Sequence, residues 1–176
     1  IQNSMQLHQW AKWYKFSLDI YILVCVKILI FWYNLNMHEN FYHNVKVYYE
    51  DTDAGGVVYY ANYLKYLERA RTEALTTIGL SNLQIKDKFG ALIIVKSCNI
   101  EYKKSAYLED ELKIRSFIKS VTKTSFFMNQ IITKDEDIIA ESQIHLVFVN
   151  EQGKPIKVPE VIFDNFKPYF CDSIKL

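Results

Sequence analysis

The residues best suited to chemistry lie in a short acidic turn, Glu-Asp-Thr-Asp over residues 50–53, which Gly55 and Gly56 follow closely. An alternating pattern over residues 45–49 predicts a strand that leads into this turn. A helical pattern begins soon after the glycines, where the backbone can adopt a positive φ or approach a ligand. The turn is therefore expected beside a helix N-terminus, whose free N–H groups carry partial positive charge.

Such an arrangement can act on a carbonyl group. An acid beside the helix N-terminus could attack the carbonyl carbon, or activate water against it, while the N–H groups hold the carbonyl oxygen. Asp53 is the first candidate for this acid, because it is the carboxylate nearest to the glycines. From residue type alone, a turn or cap role is equally compatible with Asp53, since aspartate favours such positions.

The motif that begins at this turn is long and nearly ungapped. It reads Glu-Asp-Thr-Asp-Ala-Gly-Gly-Val-Val-Tyr over residues 50–59, followed by Asn62-Tyr63 and by Glu-Arg-Ala-Arg-Thr-Glu over residues 68–73. The motif resembles the hotdog-fold acyl-CoA thioesterases. The most similar branch is the one associated with the Tol-Pal system and related to 4-hydroxybenzoyl-CoA thioesterase. The resemblance covers about Met37 to the C-terminus.

The resemblance implies an α+β hotdog fold, in which a five-stranded antiparallel sheet wraps around one long helix. It implies an acyl-CoA substrate and a homodimer or homotetramer, the latter a dimer of dimers, with sites commonly at the subunit interface. Acyl carrier protein is a further candidate partner.

The resemblance also implies roles for residues of the motif. It makes Asp53 the catalytic aspartate, as nucleophile or as general base, and it directs the backbone N–H of Tyr60 at the thioester oxygen. Many near relatives have histidine at this position, so Tyr60 removes a candidate acid or base and leaves the Asp53 mechanism standing. Tyr49 matches a tyrosine beside the family's site, although a place in the strand core is equally compatible with it. The substrate site is expected to include Gly55, Gly56, Val57 and Tyr59.

Two more acids of the motif receive structural interpretations. Asp51 is expected to bond backbone N–H groups of the turn. Glu73 could be a second catalytic carboxylate, as in another branch of aromatic-CoA thioesterases, but a salt link with Arg69 is favoured for it.

The phosphates of coenzyme A need cations and hydroxyl groups. The resemblance places CoA contacts near a hairpin between two strands, where the candidates are Lys119, Ser120, Thr122, Lys123 and Thr124. Lys103, Lys104 and Lys154 are further candidates. Each lysine alone is more typical of a solvated surface charge.

The rest of the chain predicts the elements that position these residues. An amphipathic pattern over about residues 60–78 predicts one long helix, capped by Gly79. Strands are predicted over about residues 42–49, 91–102, 112–118, 124–133 and 138–149, and a short helix over 158–166. One helix followed by strands on short loops predicts an antiparallel sheet with the helix across one face, an α+β fold.

Composition narrows the classes of function. Half of the 176 residues are hydrophobic, which indicates a globular domain. The net charge of only +1 disfavours a general nucleic-acid binder. The three cysteines, Cys25, Cys98 and Cys171, have no paired or metal-ligand spacing. Free thiols in a reducing cytoplasm are therefore expected, with neither a metal site nor a cofactor.

Residues 1–36 differ from the rest of the chain. They hold all three tryptophans and an apolar run over residues 20–33 that only Lys27 interrupts. The run is shorter than the roughly twenty residues that a membrane span needs. A weak membrane anchor, an extra helix and translation upstream of a true start at Met37 are the alternatives. The last is favoured, which predicts a thioesterase domain over residues 37–176.

The favoured function is hydrolysis of a short aliphatic or aromatic acyl-CoA to the free acid and CoA. A hotdog dehydratase is less favoured, because those enzymes use a histidine that the motif lacks. The alternative from another class is a catalytically weak scaffold or acyl-carrier-protein partner that serves Tol-Pal machinery or phospholipid metabolism.

Overall fold

A five-stranded antiparallel sheet forms the main part of the fold in this computed structural model, which describes Lys27 and residues 39–170. The strands are β1 (Phe41–Lys46), β2 (Leu92–Tyr102), β3 (Glu111–Val121), β4 (Ser125–Lys134) and β5 (Asp137–Val149). They lie in the order β1-β3-β4-β5-β2. This confirms the predicted fold class. The predictions for residues 1–36 lie outside the described residues, apart from Lys27.

Helices cover the sheet and connect its strands. In residues 39–170 they are α1 (Asn62–Thr77), α2 (Asn82–Phe89) and α3 (Glu160–Phe166), with 3-10 turns at Tyr49–Asp51 and Lys167–Tyr169. The predicted long helix is α1, and Gly79 ends it with a φ of +75°. Among the described residues, no helix is long and apolar enough to span a membrane.

The apolar stripe of α1 and one face of the sheet form the hydrophobic core. The helix contributes Tyr63, Tyr66, Leu67, Ala70 and Ala74, none of them more than 3% exposed. The strands contribute alternate residues, among them Leu112, Ile114, Ile118, Phe126, Met128, Ile132, Ile144 and Phe148. Burial of both faces against each other fixes the helix, and with it the position of the helix N-terminus.

The chain departs from its predicted pattern just before the acidic turn. The alternation predicts a strand to Tyr49, but β1 ends at Lys46 and a 3-10 turn takes over. Asp51 Oδ2 accepts a hydrogen bond from the Tyr48 N–H (2.9 Å), and such side-chain bonds compete with strand pairing. Tyr49 is 82% exposed, so its interpretation as a strand core residue is wrong.

The helix α2 is not predicted from the sequence pattern. Its ends carry recognisable signals, since Ser81 Oγ accepts the Gln84 N–H (3.2 Å) and Gly90 follows with a φ of +58°. Its only buried residue is Ile85, so no apolar period reveals the helix.

The two ends of the sheet differ in what they carry. At one end, β1 and β2 finish and β3 and β5 begin, with Lys46 opposite Glu111 and Tyr102 opposite Ala140. At the other end, β2 begins and residues 121–125 connect β3 to β4. We call these the turn end and the hairpin end.

Candidate active site

Residues 52–58 form a short loop at the turn end of the sheet. Asp53 N–H donates to the Val57 carbonyl (3.0 Å), and Gly56 N–H donates to the Asp53 carbonyl (3.0 Å). Gly56 adopts a φ of +74°, a conformation that favours glycine. The loop therefore brings four predicted site residues together, namely Asp53, Gly55, Gly56 and Val57.

The Asp53 carboxylate is exposed at the tip of this loop. Its Oδ1 accepts the Gly55 N–H (2.7 Å), which orients the group. Its Oδ2 accepts no hydrogen bond within residues 39–170. A Cβ at Gly55 would lie 3.0 Å from Asp53 Oδ1, so glycine leaves the room that this orientation needs. One carboxylate oxygen is thus held and the other is open to a ligand or water.

The chain enters α1 directly after this loop. Tyr59 N–H donates to the Asp51 carbonyl (2.8 Å), and Asn62 N–H donates to the Tyr59 carbonyl (2.9 Å). The Tyr60 carbonyl accepts the Tyr102 hydroxyl (3.0 Å). Within the described part of the chain, the Tyr60 N–H donates to no group. A free backbone donor therefore stands at the helix entrance, close in sequence to Asp53.

Tyrosines surround the loop. The rings of Tyr59 and Tyr60 are 4.6 Å apart, and the Tyr60 hydroxyl raises the pKa of Tyr59, with a smaller contribution from Asp53. The aromatic residues that are 42–82% exposed here are Tyr48, Tyr49, Tyr59, Tyr60, Tyr102 and Tyr107. Together they give the surface around Asp53 an apolar character with hydroxyl groups at its edge.

A cleft of about 360 Å³ opens beside Tyr60. Its lining residues are Val58, Tyr60, Tyr63, Tyr102, Lys103, Lys104 and Ser105. The sequence did not single out Tyr102, which lies at the end of a strand 42 residues further along the chain. Only the pairing of β2 with β5 carries it to the helix entrance.

Asp51 lies beneath the loop and is 5% exposed. Besides accepting the Tyr48 N–H through its carboxylate, it accepts the Asn62 Nδ2 through its carbonyl (2.9 Å). This confirms the interpretation that Asp51 bonds an N–H group of the turn. No role was predicted for Asn62, whose side chain donates to the turn and does not cap α1.

Glu73 lies apart from these residues. It is eleven positions beyond Asn62 on α1, about 16 Å along the helix axis. The predicted ion pair with Arg69 does not form within 4.0 Å, so that expectation is wrong. The order Arg then Glu is the weaker one for such a pair. Glu68, Arg69 and Glu73 are all exposed on this face of α1. The Glu68 carboxylate accepts the Thr72 hydroxyl (2.9 Å).

The predicted CoA cluster lies at the hairpin end of the sheet. Lys119 occupies an irregularity in the pairing of β3 with β4, and both Lys119 and Lys123 are exposed. The hairpin is closed by the hydroxyls of Thr122 and Ser125, which are 2.7 Å apart. Lys119 is eight positions beyond Glu111 of the turn end along β3, about 26 Å. One chain alone therefore does not bring the cluster to Asp53.

The two lysines that line the cleft beside Tyr60, Lys103 and Lys104, are each paired with an acid. Lys103 Nζ lies 2.5 Å from Glu101, and Lys104 Nζ lies 2.6 Å from Asp137. Both pairs are exposed, so the lysines can exchange these partners for a ligand at little cost. Within residues 39–170 and Lys27, no group of three histidine, cysteine, aspartate or glutamate side chains could hold a metal ion.

The chain is similar to known proteins in sequence and in fold. The sequence model of the thioesterase-like superfamily matches residues 47–166. The acyl-CoA thioester hydrolase YbgC of Escherichia coli O6:H1 is 38% identical over 125 residues, which is 70% of this chain and 92% of that protein. The crystal structure of a probable thioesterase from Bartonella henselae is 30% identical, with a TM-score of 0.67 over 69% of this chain and 100% of that one. The structure of BH1999 gentisyl-coenzyme A thioesterase is 25% identical, with a TM-score of 0.66 over 71% of this chain and 98% of that one.

Proposed function

The chain belongs to the thioesterase-like superfamily, and from this premise we propose that it hydrolyses acyl-CoA thioesters at the junction of residues 52–58 with α1. In this reaction water adds to the acyl carbon, the bond from that carbon to sulfur breaks, and the carboxylic acid and the CoA thiol leave. The observation that carries the proposal is that two unoccupied groups lie in the same loop-to-helix segment. One is the Oδ2 of Asp53, whose Oδ1 accepts the Gly55 N–H, and the other is the backbone N–H of Tyr60.

Each of these two groups has one part in the reaction. The open Oδ2 of Asp53 either attacks the acyl carbon or takes a proton from the attacking water. The Tyr60 N–H, at the positive end of α1, stabilises the negative charge that develops on the thioester oxygen. Neither part needs a histidine, which is consistent with the tyrosine at position 60.

A second copy of the chain completes this site. Within residues 39–170, β2 pairs with β5 on one side and with no strand on the other. Its apolar residues Ile94 and Val95 are 44% and 49% exposed. An open strand edge of this kind is a template for pairing with another strand.

Pairing of two β2 edges about a twofold axis is antiparallel, so each strand start meets the partner's strand end. The start of β2 lies at the hairpin end and its last residue, Tyr102, lies at the turn end. The second copy would therefore bring its own residues 119–124 towards the Asp53 loop of this chain. This arrangement unites the CoA cluster with the carboxylate, which one chain alone keeps apart.

The acyl group that fits this surface is short and aliphatic or aromatic. Exposed tyrosines around Asp53 and the cleft beside Tyr60 offer flat apolar walls with hydroxyl groups, which suit a hydroxylated ring. The structural similarity to a gentisyl-coenzyme A thioesterase supports the aromatic choice. A cytoplasmic location, association with the Tol-Pal system and a partnership with acyl carrier protein stay predictions of the family resemblance.

The test is release of free CoA thiol by the purified full chain over a panel of acetyl-, butyryl-, hexanoyl-, benzoyl- and hydroxybenzoyl-CoA. Turnover of at least one member above the rate without protein is the expected result, with the hydroxybenzoyl thioester the fastest. The scaffold alternative predicts saturable binding of the same thioesters without any release of thiol. That outcome would end the proposal of hydrolysis.

A further inference from the structure

The acid beneath the loop, Asp51, is unusual in its burial. Among the described residues it is the one charged side chain that is less than a tenth exposed, at 5%. No lysine, arginine or histidine of residues 39–170 lies within 4.0 Å of its carboxylate. A buried carboxylate without a cation is costly unless hydrogen bonds compensate for the lost water. A solvent-facing turn would not need such a residue, so its burial points to a role in holding the turn.

Asp51 connects the segments on both sides of the loop over residues 52–58, which we call the reactive loop. Its carboxylate accepts the Tyr48 N–H (2.9 Å), which lies before the loop. Its carbonyl accepts the Tyr59 N–H (2.8 Å) and the Asn62 Nδ2 (2.9 Å), which lie after the loop. Asn62 is itself 5% exposed and is the first residue of α1. One residue thus ties the end of the first strand segment to the helix entrance.

A buried tyrosine of α1 lies near the Asp51 carboxylate. Tyr66 is one helical turn beyond Asn62, on the same face of the helix, and is 0% exposed. Burial raises the pKa of Tyr66 well above its ordinary value, and the Asp51 carboxylate raises it further. The Tyr66 hydroxyl has no hydrogen-bond partner within 3.5 Å among the described residues. The Tyr66 hydroxyl therefore stays neutral near the Asp51 carboxylate without a close hydrogen bond to it.

We propose that Asp51 is a positioning residue, which sets the separation between the Asp53 carboxylate and the Tyr60 N–H by holding the loop to the start of α1. The connection is short on both sides. Asp53 is two residues after Asp51, and Tyr60 directly follows Tyr59, whose N–H the Asp51 carbonyl holds. The inference rests on the roles proposed above for Asp53 and Tyr60. Small displacements between a reacting group and the group that stabilises the developing charge reduce turnover strongly.

The test compares Asp51→Ala, Asp51→Asn and Asn62→Ala with the wild-type chain and with Gln130→Ala. Gln130 is 0% exposed and donates to the Leu67 carbonyl of the same helix (3.0 Å), and its hydrogen bonds go to Arg71, Leu67 and Ser116 rather than to the loop. Its loss should therefore destabilise α1 without removing a bond of the loop. We expect Asp51→Ala to lower kcat at least about tenfold with KM within about twofold of wild type, because only the geometry of the reacting groups changes. Asp51→Asn should retain most of kcat, since an amide oxygen can still accept the Tyr48 N–H and the amide N–H₂ can donate to Tyr66.

Exchange of backbone amide hydrogens separates this inference from the proposed function. Asp51→Ala keeps the carbonyl that holds the Tyr59 N–H but loses the carboxylate bond to the Tyr48 N–H, and Asn62→Ala loses the Nδ2 bond to that carbonyl. In both variants the Tyr59 N–H should exchange faster than in wild type, whereas in Gln130→Ala it should keep its protection. Loss of kcat in Gln130→Ala equal to that in Asp51→Ala would reduce Asp51 to a merely structural role. Unchanged kcat in folded Asp51→Ala would overturn the inference. If Asp51→Ala does not fold, unchanged kcat in Asn62→Ala, which removes the Nδ2 bond to the Asp51 carbonyl, would overturn it. An Asp53→Asn enzyme of full activity would instead contradict the proposed mechanism, whatever the exchange rates show.

Discussion

Asp53 has the two properties that a reacting carboxylate needs, one oxygen held in place and one oxygen free. The Gly55 N–H fixes Oδ1 at 2.7 Å, so the side chain does not have to be ordered when substrate arrives. In the proposed mechanism, Tyr60 contributes its backbone N–H rather than its phenol. These two features make distinct predictions at the scale of single residues.

Replacement of Asp53 by asparagine should reduce kcat at least about a hundredfold, the scale for losing a positioned base or nucleophile. The amide oxygen can still accept the Gly55 N–H, so the free energy of unfolding should change little. Substrate should still bind, because the helix N–H groups and the CoA contacts are unaltered. Steady-state kinetics and urea unfolding measure both quantities, with Asp87→Asn, an exposed aspartate of α2, as the control. A fully active Asp53→Asn enzyme would remove Asp53 from the mechanism.

Replacement of Tyr60 by phenylalanine should leave kcat within about threefold of wild type, because the proposed donor is the backbone N–H. The hydrogen bond from the Tyr102 hydroxyl to the Tyr60 carbonyl is also unaffected by this change. The same thiol-release assay provides the measurement. A folded but inactive Tyr60→Phe enzyme would mean that catalysis requires the Tyr60 hydroxyl and does not depend on the backbone N–H alone.

At the scale of elements, the reactive loop depends on two glycines for different reasons. Gly56 needs its positive φ of +74°, whereas Gly55 needs space, because an added Cβ would lie 3.0 Å from Asp53 Oδ1. Backbone strain and side-chain displacement should therefore be separable by experiment.

Gly56→Ala should lower the free energy of unfolding by about 1 kcal/mol, the usual cost of a left-handed conformation for a residue with a Cβ. Gly153, which has a φ of +73° in a turn after β5, is the matched control, and Gly153→Ala should lose a similar amount of stability without loss of kcat. Gly55→Ala should cost less stability than either and more activity, because it displaces the Asp53 carboxylate. Equal kcat in Gly55→Ala and Gly153→Ala would contradict this account of Gly55.

At the scale of the whole molecule, the predicted CoA cluster and the reactive loop lie at opposite ends of the sheet. If residues 119–124 hold phosphates of CoA, Lys119→Ala together with Lys123→Ala should raise KM for acyl-CoA about tenfold and change kcat little. Phosphate contacts are made equally in the ground state and the transition state, which is the reason for this expectation. Turnover of an acyl-pantetheine, which lacks the nucleotide, should be unaffected. An equal loss on both substrates would place these lysines outside the CoA site.

A mixing experiment tests whether the second copy completes the site. Asp53→Asn chains and chains with both lysines replaced should each be poorly active at low acyl-CoA concentration. After unfolding and refolding of an equal mixture, half of the dimers should be mixed, and each should hold one intact site, so about a quarter of the wild-type activity should return. Refolding of each variant by itself is the control. No recovery in a mixture that forms mixed dimers would show that each chain carries its own complete site.

The sequence by itself determined the strands, the long helix and the residues of the reactive loop, because these follow from local patterns. Alternation of apolar residues defines a strand, a period of 3.6 defines α1, and two glycines after an acidic turn define the loop. It did not determine where β1 ends, because the apolar alternation continues to Tyr49 although the strand stops at Lys46. The bond from the Tyr48 N–H to the Asp51 carboxylate replaces strand pairing there, and the alternation does not record it. It did not reveal α2, which buries a single residue.

Only the tertiary structure decided which of the predicted residues meet. Burial of Asp51 against Tyr66 depends on how α1 packs on the sheet, and the contact of Tyr102 with the helix entrance depends on the pairing of β2 with β5. The order β1-β3-β4-β5-β2 puts residues 119–124 at the far end of the sheet from Asp53, and among the described residues it leaves one edge of β2 unpaired. Strand order is set by contacts between segments that are distant in sequence, and no local pattern of side chains records them.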